Sequence, residues 1–89
     1  MTNNTKRIDD WTKENNYLIR TITFENFKEA LHAMNLIGEV AEELNHHPNW
    51  SNSYNTLEIK LFTHTTDSVT DLDYTLASRI NEIISEKFV

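Results

Sequence analysis

The sequence predicts an α+β domain of two layers, in which helices cover one face of a mostly antiparallel sheet. The chain has 89 residues, a length that fits one domain and not two. Two segments repeat apolar residues at the helical spacing of three and four, and strand-like segments precede each of them. We therefore expect the element order ββαββα within a single domain that spans residues 1–89.

The N-terminal part is expected to form a β-hairpin after a short polar extension. Residues 1–8 are polar and lack the apolar core of a signal peptide. A short strand at 11–13 and a turn at 14–16 lead into residues 17–24, which are rich in β-branched and aromatic residues. Leu18, Ile22 and Phe24 are alternate residues that point to one face of this strand. Arg20 points to the same face and is the one charged residue there.

The first helix is predicted from about Glu25 to Asn45. Either Asn26, with Glu29 three residues later, or Thr23 could cap its start. The helix should stop by about His47, because Pro48 disfavours the helical conformation in the residue before it. Its apolar stripe, which we expect to face the core, consists of Phe27, Ala30, Leu31, Met34, Ile37, Ala41 and Leu44.

The second half of the chain repeats the order of strands and helix. Strand character runs from Trp50 to His64, with Leu57, Ile59 and Leu61 on one face. Residues 65–69 read as a loop, and residues 70–73 carry a capping-box pattern. The second amphipathic helix then extends to about residue 86. The other face of the sheet carries Glu58, Lys60 and Phe62, and an unpaired edge in so small a sheet invites a neighbouring subunit.

Charge and composition exclude several classes of partner. With 8 Lys plus Arg against 14 Asp plus Glu, the net charge is −6, whereas nucleic acids and anionic membranes select for basic proteins. No apolar run approaches the roughly 20 residues of a membrane span. The chain has no cysteine, so disulfides and thiolate zinc sites are excluded. We therefore expect a cytoplasmic protein.

Three of the four histidines fall between positions 46 and 64. His46 and His47 stand where the first helix ends, and His64 stands at the end of the long strand, so the three can meet at one edge of the sheet. Glu42 precedes His46 by four residues, so its carboxylate can fix the tautomer of that imidazole. Asp73 opens the second helix. Imidazoles can give and take protons near neutral pH, which suits a dehydration or a hydration.

Other interpretations of these residues remain open at this point. Asp73 could serve only as a capping residue, and a histidine at a helix end is often a surface residue. Three histidines with Glu42 also resemble a zinc ligand set by type, although His46 and His47 are adjacent and project in different directions. A serine hydrolase lacks its elbow sequence, because Gly38 is the only glycine and lies inside a helix.

The spacing of these residues resembles the pterin-4a-carbinolamine dehydratase family. The residues that carry the resemblance are Glu42, His46-His47-Pro48, Tyr54, His64 and Asp73. Further matches are Phe24-Glu-Asn-Phe27, Asn49-Trp50 and Val69-Thr70. The resemblance covers residues 11–84. One departure is Ser68, where family members commonly have glycine.

The resemblance implies a four-stranded antiparallel sheet and the dehydration of 4a-hydroxytetrahydropterin to quinonoid dihydropterin. It implies His46, His47 and His64 as catalytic residues, and Asp73, Glu42 and Pro48 as substrate-binding residues. The pterin is then the substrate, with no metal and no cofactor, and the protein forms a homodimer or homotetramer. The alternative is a module of the same fold that binds a protein partner without catalysing the dehydration.

Overall fold

The computed structural model describes residues 9–88 and contains a four-stranded antiparallel sheet with two helices. Its elements are β1 (Thr12–Glu14), β2 (Tyr17–Thr23), α1 (Phe27–Leu44), β3 (Asn49–Ser53), β4 (Thr56–Leu61) and α2 (Asp71–Lys87). The order across the sheet is β1-β2-β4-β3, so β2 and β4 are central. The predicted α+β class and the order ββαββα are confirmed. The expected polar extension at residues 1–8 lies outside the described residues.

The core lies between the helices and alternate residues of the two central strands. Leu18 pairs with Leu61 and Ile22 with Leu57 across β2 and β4, and all four side chains are buried. The alternation predicted for residues 57, 59 and 61 is confirmed, because these three side chains have no exposed surface. The helices contribute small and branched residues to the same cluster: Ala30, Ala33, Ile37, Val40, Leu76, Ala77 and Ile80.

The buried stripe of α1 differs from the predicted one. Phe27 and Leu31 were expected to face the core, yet 48% and 44% of their surfaces are exposed. Ala33 and Val40 are buried instead. The buried stripe is thus shifted around the helix, and the larger side chains of the first two turns lie on its exposed side. Among residues 9–88, no helix has both the length and the apolarity needed to cross a bilayer.

Local signals place the ends of the helices. Asn26 caps α1, since its side chain accepts a hydrogen bond from the Glu29 backbone N–H, and Thr23 does not. The predicted capping box at Thr70 and Asp73 opens α2. The strand predicted to reach His64 ends earlier, at Leu61, because the chain turns back between Thr63 and Ser68.

Arg20, the charged residue in the apolar pattern of β2, points towards the helices and is held there by hydrogen bonds. Its Nη1 donates to Asn81 Oδ1 at 2.5 Å, and Trp11 Nε1 donates to the same oxygen at 2.8 Å. Burial lowers the pKa of the Arg20 guanidinium below its usual range, and the charge of Asp10 at 3.9 Å opposes that shift. Asn81 thus joins the N-terminal hairpin to α2.

Candidate active site

One cavity lies where the end of α1, the turn after β4 and the start of α2 meet. It has a volume of about 560 Å³ and is open to solvent. All three histidines of the predicted cluster border it, and so does Pro48. Its complete lining is Asn45, His46, His47, Pro48, Asn49, Thr63, His64, Thr65 and Leu72.

The position of His46 follows from the way α1 ends. Asn45 adopts the left-handed conformation, with φ 54° and ψ 42°. The backbone N–H of His46 then donates to the Ala41 carbonyl at 3.0 Å, and that of Asn45 donates to the Glu42 carbonyl at 3.2 Å. These two bonds form a Schellman motif, in which asparagine is the common substitute for glycine. The chain reverses here, so His46 is no longer on the helix.

This reversal changes the expected partner of Glu42. The spacing of four residues suggested a contact with His46, which requires both residues to be helical. In the structure, Glu42 Oε2 instead lies 2.6 Å from His47 Nε2. Both side chains of this pair are more than half exposed. Glu42 thus contacts His47, which lines the cavity, but Glu42 itself is not part of the cavity lining.

His46 is held by Asp73. Its Nε2 lies 2.6 Å from Asp73 Oδ1, and the aspartate side chain has no exposed surface. An ionised carboxylate can only accept hydrogen bonds, so Nε2 carries a proton and Nδ1 is the nitrogen left for a ligand. Asp73 is therefore more than a capping residue. Because it is fully buried, it does not line the cavity itself and contacts it through His46 and Thr63.

His64 enters the cavity from the turn that follows β4. The turn is closed by a backbone hydrogen bond from Thr63 N–H to the Ser68 carbonyl at 2.8 Å, and Asp67 takes the left-handed conformation with φ 53°. Ser68 thus follows directly after the left-handed residue. The His64 ring lies against Phe62, with centroids 4.5 Å apart, and its side chain is exposed.

The fourth histidine is separate from the cavity. His32 lies on the exposed side of α1, where its ring meets the edge of Phe88 at a centroid distance of 5.6 Å. Within residues 9–88, no group of three or more histidine, aspartate or glutamate side chains is placed to hold one metal ion.

Volume alone would not select this site. A second cavity of about 500 Å³ lies at the other end of the helices, lined by Ile22, Thr23, Phe24, Glu25, Glu29, Ile84, Lys87 and Phe88. It contains no histidine. The cavity at the end of α1 differs from it in combining several imidazoles with carboxylates that hold them.

Sequence reasoning missed several residues of the lining. Leu72 is 47% exposed, although large apolar side chains in a small domain are usually buried. Together with Pro48 it gives the cavity an apolar wall. Thr63 also lines the cavity, and its position next to His64 in the sequence could have predicted this. Asn45 could have been found as a helix terminator, since asparagine tolerates the left-handed conformation.

Comparison with known proteins identifies a family that matches most of this chain. Residues 1–83 match the model of a family described as Pterin 4 alpha carbinolamine dehydratase. A protein of Christiangramia forsetii named "Putative pterin-4-alpha-carbinolamine dehydratase" is 46% identical over 79 residues, which cover 89% of this chain and 81% of the relative. A relative from Prochlorococcus marinus subsp. pastoris with the same name is 42% identical over 80 residues, which cover 90% and 83%.

Two solved structures share the fold. The crystal structure of a transcriptional coactivator/pterin dehydratase from Brucella melitensis superposes with a TM-score of 0.82 at 36% identity, covering 85% of this chain and 83% of that one. A pterin dehydratase-like protein identified as a RuBisCO assembly factor in the alpha-carboxysome gives a TM-score of 0.72 at 17% identity, covering 83% and 88%. The second likeness extends to the fold alone.

Proposed function

The chain belongs to the Pterin 4 alpha carbinolamine dehydratase family, and from this premise we propose that it eliminates water from 4a-hydroxytetrahydropterin to give quinonoid dihydropterin. The family supports carbinolamine dehydration in general. The observation that carries the finer proposal is the convergence of His46, His47 and His64 on one cavity, with two of the three rings held by carboxylates.

The reaction needs one proton delivered and one removed. Protonation of the hydroxyl on ring carbon 4a lets the C–O bond break and water leave. Removal of the proton from the adjacent ring nitrogen supplies the electron pair for the new C=N bond. The elimination is redox-neutral, so it calls for no external oxidant or reductant. Two or three imidazoles around one ligand are suited to this exchange.

We assign the acid to His46 or His47 and the base to His64. His46 presents Nδ1 to the ligand while Asp73 holds the opposite side of its ring. Asp73 also stabilises the positive charge that the ring bears when it is doubly protonated, as a buried carboxylate does behind other catalytic histidines. Pro48 and Leu72 offer an apolar surface to the flat heterocycle.

The test is stopped-flow dehydration of chemically generated carbinolamine. General acid–base assistance is typically worth about 100- to 10,000-fold, so His64→Ala should lower kcat by roughly that range. His32→Ala is the matched control, because it removes the one histidine that is outside the cavity, and it should keep the wild-type rate. Wild-type turnover by His64→Ala would remove His64 as the base. No turnover by the wild-type protein, together with capture of a defined protein partner, would favour the non-catalytic alternative.

We also propose that the protein forms a homodimer or homotetramer. Phe27 and Leu31 expose apolar surface on α1, beside a groove that includes Met34, Gly38 and Trp50. A Cβ atom at Gly38 would have no heavy atom within 4 Å, so this groove is open. Sedimentation should give a mass of two or four chains, and Leu31→Glu should lower it. A monomeric wild-type protein would contradict the proposal.

A further inference from the structure

A chain of two hydroxyl groups continues behind Asp73. Thr63 Oγ1 donates to Asp73 Oδ2 at 2.8 Å and lies 2.6 Å from Thr70 Oγ1. The backbone N–H of Thr70 reaches the same carboxylate oxygen at 2.9 Å. Asp73 is fully buried and Thr63 nearly so. The carboxylate that holds His46 is thus itself held by groups from two other segments of the fold.

Counting protons fixes the direction of every bond in this chain. The Asp73 carboxylate has no proton to give, so the single proton of Thr63 is committed to it. The contact between the two hydroxyls must then run from Thr70 Oγ1–H to Thr63 Oγ1. His46 Nε2–H donates to the remaining oxygen, Asp73 Oδ1. With these donors in place, the carboxylate is held against rotation and His46 is held as its Nε2–H tautomer.

A purely structural role would not need the Thr63 hydroxyl. The backbone of Thr63 is already fixed by its N–H bond to the Ser68 carbonyl at 2.8 Å and by the bond its carbonyl accepts from Asp67 N–H at 2.7 Å. The capping box of α2 uses the Thr70 hydroxyl oxygen as an acceptor and the bond from the Thr70 backbone N–H to Asp73, and it makes no use of Thr63. The hydroxyl of Thr70 caps the Leu72 backbone N–H at 3.3 Å, which is longer than its 2.6 Å contact with Thr63.

We propose that Thr63 and Thr70 are positioning residues, whose hydroxyls orient Asp73 so that His46 keeps its Nε2–H tautomer and presents Nδ1 to the ligand. The expected effect on kcat rests on the proposed function, whereas the tautomer of His46 can be measured whether or not the protein is a dehydratase. The helix cap of α2 and the active-site histidine then form one hydrogen-bonded unit. Neither threonine would touch the reacting atoms through its hydroxyl, so the effect should appear in kcat and leave KM nearly unchanged.

The experiment compares Thr63→Val with Thr63→Ser, and uses Thr21→Val as the control. Valine keeps the shape of threonine and removes the hydroxyl, whereas serine keeps the hydroxyl. Thr21 is exposed on β2, on the face of the sheet that points away from the core. Nitrogen-15 shifts of the His46 ring should report the Nε2–H tautomer in the wild type, Thr63→Ser and Thr21→Val. In Thr63→Val the Asp73 carboxylate loses a donor that orients it and can turn away from His46 Nε2, so the shifts should move towards a mixture of tautomers, and kcat should fall about 10- to 100-fold with KM within twofold.

The proposal is overturned if folded Thr63→Val keeps both the wild-type tautomer and the wild-type kcat. If Thr63→Val does not fold, Thr63→Ala serves instead, because it removes the same hydroxyl with a smaller side chain and keeps the backbone bond from Thr70 N–H to Asp73. It should shift the His46 tautomer in the same direction, and an unchanged tautomer would again refute the proposal. An inactive wild-type protein would refute the proposed function, and the ring shifts would still decide the role of the hydroxyls.

Discussion

Replacing Asp73 by asparagine should reverse the tautomer of His46. The two side chains have nearly the same shape, so the packing around this fully buried position is kept. Aspartate accepts hydrogen bonds from His46 Nε2, Thr63 Oγ1 and the Thr70 backbone N–H. Asparagine has one oxygen and one NH₂ group. Two of the three donors share Oδ2, so the asparagine oxygen should face the threonines and its NH₂ group should face the histidine.

The expected loss of activity follows from that arrangement. An NH₂ group facing Nε2 makes this nitrogen an acceptor, so the proton moves to Nδ1 and the ring meets its ligand in the wrong form. The same exchange behind the histidine of a serine protease lowers kcat about 10⁴-fold. We expect a fall of about 100- to 10,000-fold in kcat, which corresponds to about 2.7–5.5 kcal/mol in the activation barrier. KM should stay within about threefold.

Stopped-flow dehydration measures the effect, and nitrogen-15 shifts of His46 report the tautomer. Asp71→Asn is the control, since it removes the same charge from an exposed side chain in the same first turn of α2. It should retain most of the activity. If Asp73→Asn folds and keeps kcat within threefold of the wild type, the reasoning about the His46–Asp73 pair is wrong.

Three further changes probe the surroundings of the site. Glu42→Gln should lower kcat less than tenfold, because its bond to His47 is exposed and exposed ion pairs contribute little. Leu72→Ala should raise KM several-fold at constant kcat, because it removes apolar surface from the cavity wall. Asn81→Ala should lower the free energy of unfolding in urea by about 2 kcal/mol, because the donors left on Trp11 and Arg20 are only partly buried and each costs the lower end of about 1–3 kcal/mol.

Each of these three changes has a matched control. Glu86→Gln alters an exposed carboxylate of α2 outside the cavity, and it should not affect the rate. Leu72→Met keeps apolar surface at the wall, and it should restore KM. Thr75→Ala removes an exposed polar side chain from α2 and should leave stability nearly unchanged. A loss at Glu42 as large as that at Asp73, an unchanged KM in Leu72→Ala, or wild-type stability in Asn81→Ala would contradict the respective argument.

The sequence was a good guide to the fold where its signals were local. The alternation of Leu57, Ile59 and Leu61 and the capping box at Thr70 both predicted what the structure contains. The buried stripe of α1 was less predictable, because Phe27 and Ala33 are both apolar and only the packing of the whole domain decides which of them is buried.

The candidate site was predictable as a set of residues but not as a set of pairs. The three histidines do line one cavity, and Pro48 joins them. Helical spacing assigned Glu42 to His46, whereas the left-handed Asn45 turns the chain and exchanges the partners. The bond between His46 and Asp73 joins residues 27 positions apart, so no local pattern could reveal it.

The most direct test of the account is the rate at which carbinolamine loses water in the presence of this protein. The account predicts that the wild-type protein at catalytic concentration accelerates dehydration well above the uncatalysed background. A folded variant with alanine at His46, His47 and His64 should return the rate to that background, while His32→Ala should not. A wild-type rate equal to the background, or a triple variant as fast as the wild type, would contradict it.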